Sequence, residues 1–250
     1  MIYAQYRMGE ALLDSMPADT RRRINRFRQL FDMGLHGTRL PEFCGQGQKF
    51  LQQTGEVFFD RVCRVVRMDR SDAALAYLYG LVGNYALNAA CQEMIRHSAK
   101  VYSVTPQHIQ TEFDRYLLEL DGHSPAYRYD RSRHLRLTPG ECRTVAMFYP
   151  GLNSSAVGRG VKRMVRVMSA PVLPSGSRRD FVKKLMELRK EGDFVMGTHP
   201  DHRLRRTNEE LLRQYQKAVE SFPGLLEQIQ VRLRKKAPFS EEFAMTMGNW

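Results

Sequence analysis

The longest uncharged stretch of the chain covers residues 73–92, and most of its side chains are apolar or small. Three amide residues interrupt it at every fourth position: Asn84, Asn88 and Gln92. Because positions four apart share one face of an α-helix, these amides form a polar stripe on a helix that is otherwise apolar. A helix with this pattern belongs in the interior of a bundle. We therefore predict a central buried helix over residues 71–97.

Apolar positions recur with helical spacing on both sides of this central helix, and no stretch alternates as a β-strand would. The further predicted helices are 8–13, 20–32, 49–68, 106–122, 138–150, 153–169, 178–191, 207–220 and 225–235. We expect an all-α fold, a single-domain multi-helix bundle of residues 1–250 built around helix 71–97.

Local signals mark where several of these elements begin and end. Ser71 is a predicted N-cap, and capping boxes are predicted at 138–141 and 207–210. Residues 38–47 and 121–136 are predicted connections, and Pro223 is predicted to interrupt the last helix.

The chain is strongly basic, with 39 Lys and Arg against 27 Asp and Glu and a formal charge of +12. This balance favours an anionic partner, such as a phospholipid head group, an acidic protein or nucleic acid. Nucleic acid ranks last of these, because it requires the charge to gather on one face and the basic residues are spread along the whole chain.

The cysteines and the N-terminal residues bear on metal binding, redox chemistry and cellular location. The four cysteines show no paired Cys-x-x-Cys spacing, so neither a zinc knuckle nor a redox motif is predicted. Charged residues at positions 7, 10 and 14 interrupt any apolar leader, and we expect a cytoplasmic protein. The amides and glycines of the central helix argue against a transmembrane segment.

Four segments of the first half resemble a known family when they are taken together. They read Tyr-Ala-Gln-Tyr at 3–6, Phe-Asp-Met-Gly-Leu-His-Gly at 31–37, Ala-Tyr-Leu-Tyr-Gly at 76–80 running through Cys91, and His-Ile-Gln-Thr-Glu-Phe-Asp-Arg-Tyr-Leu-Leu at 108–118. In order and spacing they are similar to the zinc-dependent phospholipase C family, in particular its small intracellular bacterial members. The Thr-His-Pro region at 198–200 fits more loosely.

The resemblance implies a helical bundle around a cluster of zinc ions, whose bound water attacks a phospholipid phosphodiester. The family pattern supplies His and acidic ligands from the N-terminal segment, the loop after the second helix, the central helix and the helix that follows. In this chain the corresponding positions are Gln5, Arg39, Asn84, Asn88, Gln92, His108 and Glu112. Only the last two match the family pattern.

These departures change the expected chemistry. Zinc prefers imidazole, thiolate or carboxylate ligands, and a neutral amide oxygen is a poor substitute. We therefore expect no zinc cluster, and predict that the amides survive as a buried hydrogen-bonded network with Arg39 and Glu112 as a candidate charge pair. The alternative is a single zinc held by His108 and Glu112 with His36 as a third ligand. The other histidines are interpreted as surface or connecting residues: His97, His123, His134, His199 and His202.

Three functional hypotheses follow from these residues. The first is a degenerate relative of phospholipase C, a pseudoenzyme that binds an anionic ligand or a partner protein, with Arg39 in the pocket. The second is an active zinc-dependent phosphodiesterase with a reduced metal site at His108 and Glu112. The third is nucleic-acid binding through the Arg-rich helices.

Overall fold

The computed structural model describes residues 1–169, 192–235 and 237–248. The helices are α1 Tyr3–Ser15, α2 Ala18–Asn25, α3 Arg28–Gly34, α4 Leu40–Phe43, α5 Gly47–Leu51, α6 Gly55–Asp69, α7 Asp72–Tyr102, α8 Pro106–Leu120, α9 Pro139–Ala146, α10 Ser154–Ser169 and α11 Arg205–Lys235. Short 3-10 turns lie at Ala126–Arg128, Gly192–Phe194, His202–Leu204 and Glu241–Phe243. Within these residues the only β-type pairing is one isolated bridge, Thr54 to Thr246, so the all-α prediction is confirmed.

The long helix α7 lies at the centre of the bundle, as its sequence pattern predicts. Its N-cap is Ser71, whose hydroxyl accepts a hydrogen bond from the Ala74 amide at 3.0 Å. Side chains on nearly all sides of its first five turns are buried. The helix extends beyond the predicted residue 97 to Tyr102 and ends at Ser103, which adopts a left-handed conformation. Its most extensive contacts are with α3 and α11.

Helices α3 and α7 pack backbone against backbone at one point. A Cβ atom on Gly80 would lie 2.8 Å from the Gly34 Cα, and one on Gly34 would lie 2.9 Å from the Gly80 Cα. Only glycine at both positions permits this approach. The contact holds the segment that follows α3, residues 35–39, against the amide stripe of α7.

Some predicted boundaries are wrong. The predicted helix 20–32 is divided into α2 and α3, because the backbone leaves helical geometry at Phe27. The predicted helix 49–68 is likewise divided, and Thr54 caps the second part. The predicted loop 38–47 contains α4. The predicted helix 178–191 lies outside the described residues.

The two predicted capping boxes differ in outcome. The box at Thr138 is present, since the Thr138 hydroxyl accepts from the Glu141 amide at 3.2 Å and the Glu141 carboxylate accepts from the Thr138 amide at 2.7 Å. The box at Thr207 is not formed, because α11 begins earlier, at Arg205, and the Thr207 hydroxyl pairs with that of Ser98 at 3.2 Å.

Pro223 lies inside α11 and does not interrupt it, contrary to the prediction. The helix buries apolar residues on both sides of the proline, among them Phe222 and Leu225, and this packing outweighs the lost backbone hydrogen bond. No described helix combines the length and the apolar character that crossing a membrane requires.

Candidate functional site

The amide stripe of α7 holds neighbouring segments to the central helix. The Asn84 carbonyl oxygen accepts from the Thr38 hydroxyl at 2.8 Å, and its amide nitrogen donates to the Leu35 carbonyl at 2.7 Å. The Asn88 amide nitrogen donates to the Met247 carbonyl at 3.0 Å and to the Asn84 carbonyl oxygen at 3.2 Å. The first two amides of the stripe therefore fix the path of the chain after α3 and near its C-terminal end.

The stripe is not fully satisfied at its C-terminal end. Gln92 is buried, and its carbonyl oxygen has no hydrogen-bond donor among the described residues. The side-chain carbonyl oxygen of Asn88 is likewise buried and has no hydrogen-bond donor among the described residues. Buried acceptors without donors are costly, so these two oxygens are the weakest members of the network.

A chain of hydrogen bonds leads from Gln5 on α1 through two histidines. His36 Nδ1 lies 2.7 Å from the Gln5 carbonyl oxygen, and His36 Nε2 lies 2.6 Å from His134 Nε2. His36 Nδ1–H donates to Gln5, so His36 Nε2 accepts the proton of His134 Nε2. This assignment leaves His134 Nδ1 as an acceptor. The ring of His134 also stacks on Tyr6, with centroids 4.4 Å apart.

Both histidines are held in the neutral state. Burial lowers the pKa of His36 well below its usual value, and the neighbouring His134 lowers it further. Burial also lowers the pKa of His134 to about 3, with Arg28 as the second cause. His134 lies in the predicted connection 121–136, and its ring is engaged by His36 and Tyr6.

Arg39 is a buried cation that is engaged by the protein itself. Its guanidinium donates to the carbonyl oxygens of Gln107 at 2.8 Å and Gln110 at 2.7 Å, and lies 5.3 Å from the centre of the Phe194 ring. The predicted pair with Glu112 is not formed, because Glu112 faces other partners. Arg39 is thus part of the interior, not the wall of an open pocket.

The face of α8 that points to this interior carries Gln110 and Asp114. The carbonyl oxygen of Gln110 accepts from the Met1 amino group at 2.7 Å as well as from Arg39. Gln110 and Asp114 are four residues apart, as are His108 and Glu112, so both pairs satisfy the same helical spacing. The sequence contains this second pair, and only the orientation of α8 distinguishes the two.

Asp114 forms the most strongly bonded carboxylate of the interior. It accepts from the amides of Ile2 at 2.7 Å and Ala4 at 3.0 Å and from the Arg131 guanidinium at 3.1 Å. Burial acts to raise the pKa of Asp114, but the Met1 amino group, Arg131 and the two amides outweigh it, so the pKa is lowered. Asp114 stays ionised and ties α8 to α1 and to the connection after α8.

His108 and Glu112 face a different part of the molecule. Glu112 accepts from Arg115 Nε at 3.2 Å and from the Asp201 amide at 3.0 Å, and His108 Nε2 lies 3.4 Å from the Asp201 carboxylate. Together they border a cavity of about 210 Å³ beside residues 192–201. The hydrogen-bond partners of this pair are separate from those of the amide stripe, and His36 is engaged by Gln5 and His134.

The side chains at the positions that the resemblance assigns to metal ligands do not fit a zinc cluster. Amides occupy four of the positions and the cation of Arg39 a fifth, which supplies no negative charge to offset a metal. At the remaining pair, the Glu112 carboxylate already neutralises the Arg115 guanidinium. Within residues 1–169, 192–235 and 237–248 no group of three or more His, Cys, Asp or Glu side chains is placed to hold a metal ion.

The hydrogen-bonded chain from Gln5 through His36 ends at His134, which lines an open cleft of about 320 Å³, here called the His134 cleft. It is lined by Tyr3, Tyr6, Arg28, Asp32, Tyr129, Asp130, Arg131, Arg133 and His134. Arg28 is bound by Asp32 at 2.7 Å and by Glu10, and burial raises the pKa of Asp32 to about 6. Arg133 is exposed and lies over the Tyr129 ring, 4.7 Å from its centre.

Comparisons of the chain with family models, with curated proteins and with solved structures found no match.

Proposed function

We propose that the protein is a metal-independent relative of the zinc-dependent phospholipase C family that binds an anionic ligand and does not hydrolyse phosphodiesters. One observation carries this proposal. Four of the family's ligand positions, Gln5, Arg39, Asn84 and Asn88, hydrogen-bond to other protein groups at 2.7–3.4 Å. In this proposal, hydrogen bonds from these side chains take the place of metal ligation, and Arg39 adds a positive charge.

The His134 cleft is the ligand site in this proposal. Arg133 has no carboxylate within ion-pair distance in the part of the chain that the structure describes, and its contact at the cleft is the Tyr129 hydroxyl at 3.4 Å. A guanidinium in this state is free to bind phosphate or carboxylate through two parallel hydrogen bonds.

The neighbouring groups define the rest of the ligand. His134 Nδ1 is an acceptor, so it selects a donor such as a hydroxyl group on the ligand. Tyr3, Tyr6 and Tyr129 provide flat apolar walls. The cleft therefore suits a small hydroxylated molecule with one phosphate or carboxylate group, a class that includes phospholipid head groups.

The proposal is tested by titrating inorganic phosphate, and then glycerol phosphate, into the protein while following the ring resonances of His134 by NMR. We expect saturable shifts and tighter binding of glycerol phosphate. Arg133→Ala should weaken binding about tenfold or more, because a hydrogen bond to a charged group contributes about 1.5–3 kcal/mol.

Arg136→Ala is the matched control. Arg136 is an exposed arginine of the same connection and does not line the cleft. Its substitution removes the same charge and should change the affinity less than twofold, an order-of-magnitude expectation for a distant exposed charge. Equal losses from both variants, or no shift of the His134 resonances, would contradict the proposal.

A further inference from the structure

A second and larger cavity, of about 490 Å³, lies between α9 and the first turns of α10. We call it the α9–α10 cleft. Its lining divides into an apolar part with Leu137, Cys142 and Val161, and a basic part with Arg143, Arg159 and Lys162. None of these residues belongs to the His134 cleft or to the amide network.

The three basic residues of the cleft have no acidic partner within the part of the chain that the structure describes. All three are exposed, and none has a carboxylate within ion-pair distance among the described residues. Many other arginines of the chain are paired, as Arg203 is with Asp201 at 2.7 Å. Three unpaired cations around one cavity produce a local positive potential that attracts an anion.

The floor of the cleft is apolar and closely packed. Cys142 and Val161 are each 6% exposed and belong to the hydrophobic core. Gly158, on α10, lines the same cleft, and a Cβ at this position would meet the Cys142 Sγ at 3.7 Å, an ordinary contact distance. The glycine therefore leaves room above the floor that a larger side chain would fill. A ligand that reaches the floor buries apolar surface as well as forming ion pairs.

We propose that the α9–α10 cleft binds an organic anion in which a phosphate or carboxylate group is attached to an alkyl or aryl group. The anionic group lies between Arg143, Arg159 and Lys162, and the apolar group lies on the floor beside Gly158. The cleft volume falls within the range of small-molecule sites, about 300–1,000 Å³. This site is independent of the ligand proposed for the His134 cleft.

The test is a titration of ¹⁵N-labelled protein with inorganic phosphate, butyl phosphate and octyl phosphate, each below its aggregation concentration. The Gly158 amide reports on the α9–α10 cleft, and the His134 ring reports on the other site. At Gly158 we expect octyl phosphate to bind more tightly than butyl phosphate, and inorganic phosphate most weakly. Each methylene that becomes buried should strengthen binding about threefold to fourfold.

Three variants separate the contributions. Gly158→Leu should fill the floor and abolish the preference for octyl phosphate while keeping the weak binding of inorganic phosphate. Arg159→Met should weaken all three ligands about tenfold, because it removes a charged hydrogen-bond donor. Arg166→Met is the matched control, since Arg166 is an exposed arginine of the same helix outside the cleft, and it should have no effect.

A further arm distinguishes a free anion from a lipid in a membrane. Phosphatidylcholine vesicles containing phosphatidic acid should bind with the same dependence on Arg159 if the natural ligand is a membrane lipid, and should not bind if the ligand is a free organic anion. The proposal is overturned if octyl and inorganic phosphate bind equally at Gly158, or if Arg166→Met and Arg159→Met weaken binding equally. Failure of phosphate binding at His134 would leave this result unaffected.

Discussion

His36 and His134 meet through their Nε2 atoms at 2.6 Å, although they are 98 residues apart in sequence. The contact joins the segment after α3 to the connection between α8 and α9. It also requires that His36 Nε2 stay unprotonated, because a proton there would place two N–H donors against each other. The pair therefore links the stability of the interior to pH.

Acid should weaken the fold through this pair. The pKa of His134 is lowered to about 3 in the folded protein from an unfolded value near 6.5, so the unfolded chain binds the proton first. The stabilisation is fully present above pH 6.5 and is lost as the pH falls towards 3. For one such group, the free energy of unfolding falls by at most about 1.4 kcal/mol for each pH unit.

A difference measurement isolates this contribution from other titrating groups. The free energy of unfolding of the native protein minus that of His134→Gln should decrease as the pH is lowered from 6.5 to 4.5, because only the native protein loses the His134 contribution. Chemical denaturation at several pH values measures the difference. A constant difference across this range would show that His134 has no shifted pKa.

Substitutions at two amides of the stripe should differ in how much they lower the free energy of unfolding. Asn84→Leu removes a side chain that bonds to both Thr38 and Leu35, and should cost about 2–4 kcal/mol because it leaves buried partners unsatisfied. Gln92→Met replaces a side chain whose carbonyl oxygen has no donor, and should change stability by less than about 1 kcal/mol. Urea denaturation measures the free energy of unfolding of each variant. Equal losses of stability would contradict the hydrogen-bond pattern.

The buried pair of Asp114 and Arg131 should be costly to break. Asp114→Asn leaves the Arg131 guanidinium, 2% exposed, without its counter-ion, and should destabilise the fold by about 3–5 kcal/mol. Glu209→Gln is the control, because its partner Arg205 is 81% exposed and such surface pairs contribute about 0–1 kcal/mol. Thermal unfolding compares them. Similar unfolding temperatures for both variants would show that the ion pair between Asp114 and Arg131 does not stabilise the fold.

The contact between α3 and α7 predicts a severe effect at Gly80. Gly80→Ala places a methyl group 2.8 Å from the Gly34 Cα, so the helices must separate, at a cost of about 3 kcal/mol or more. Gly158→Ala places its methyl at an ordinary contact distance, and should stabilise α10 by about 0.5–1 kcal/mol. The order of the two unfolding free energies tests the helix packing.

The central helix could be predicted from the sequence because its signal is local. The uncharged apolar run, the spacing of its amides and the Ser71 cap all lie within one element. The capping box at Thr138 is local in the same way. The prediction that Pro223 interrupts the last helix was wrong because it considered the proline alone. The buried apolar face of this 31-residue helix stabilises it on both sides of the proline.

The site was harder to predict because it depends on the orientation of elements. Gln110 and Asp114 share the spacing of His108 and Glu112, so no periodicity separates the two pairs. The orientation of α8 places Gln110 against Arg39 and the Met1 amino group, and Asp114 against the amides at the start of α1. It places His108 and Glu112 against the segment 192–201. His134 lies in an irregular connection, whose path no local pattern specifies.

The zinc content of the purified, tag-free protein, measured by elemental mass spectrometry before any metal is added, distinguishes a metal-free interior from a zinc site. If the amides and Arg39 stand at the positions that the proposed relationship assigns to metal ligands, the protein should carry less than about 0.1 equivalents of zinc, because these side chains supply no anionic ligand. One or more equivalents, lost on substitution of His108 or Glu112, would show that these two residues hold a zinc ion and that the interior is not metal-free.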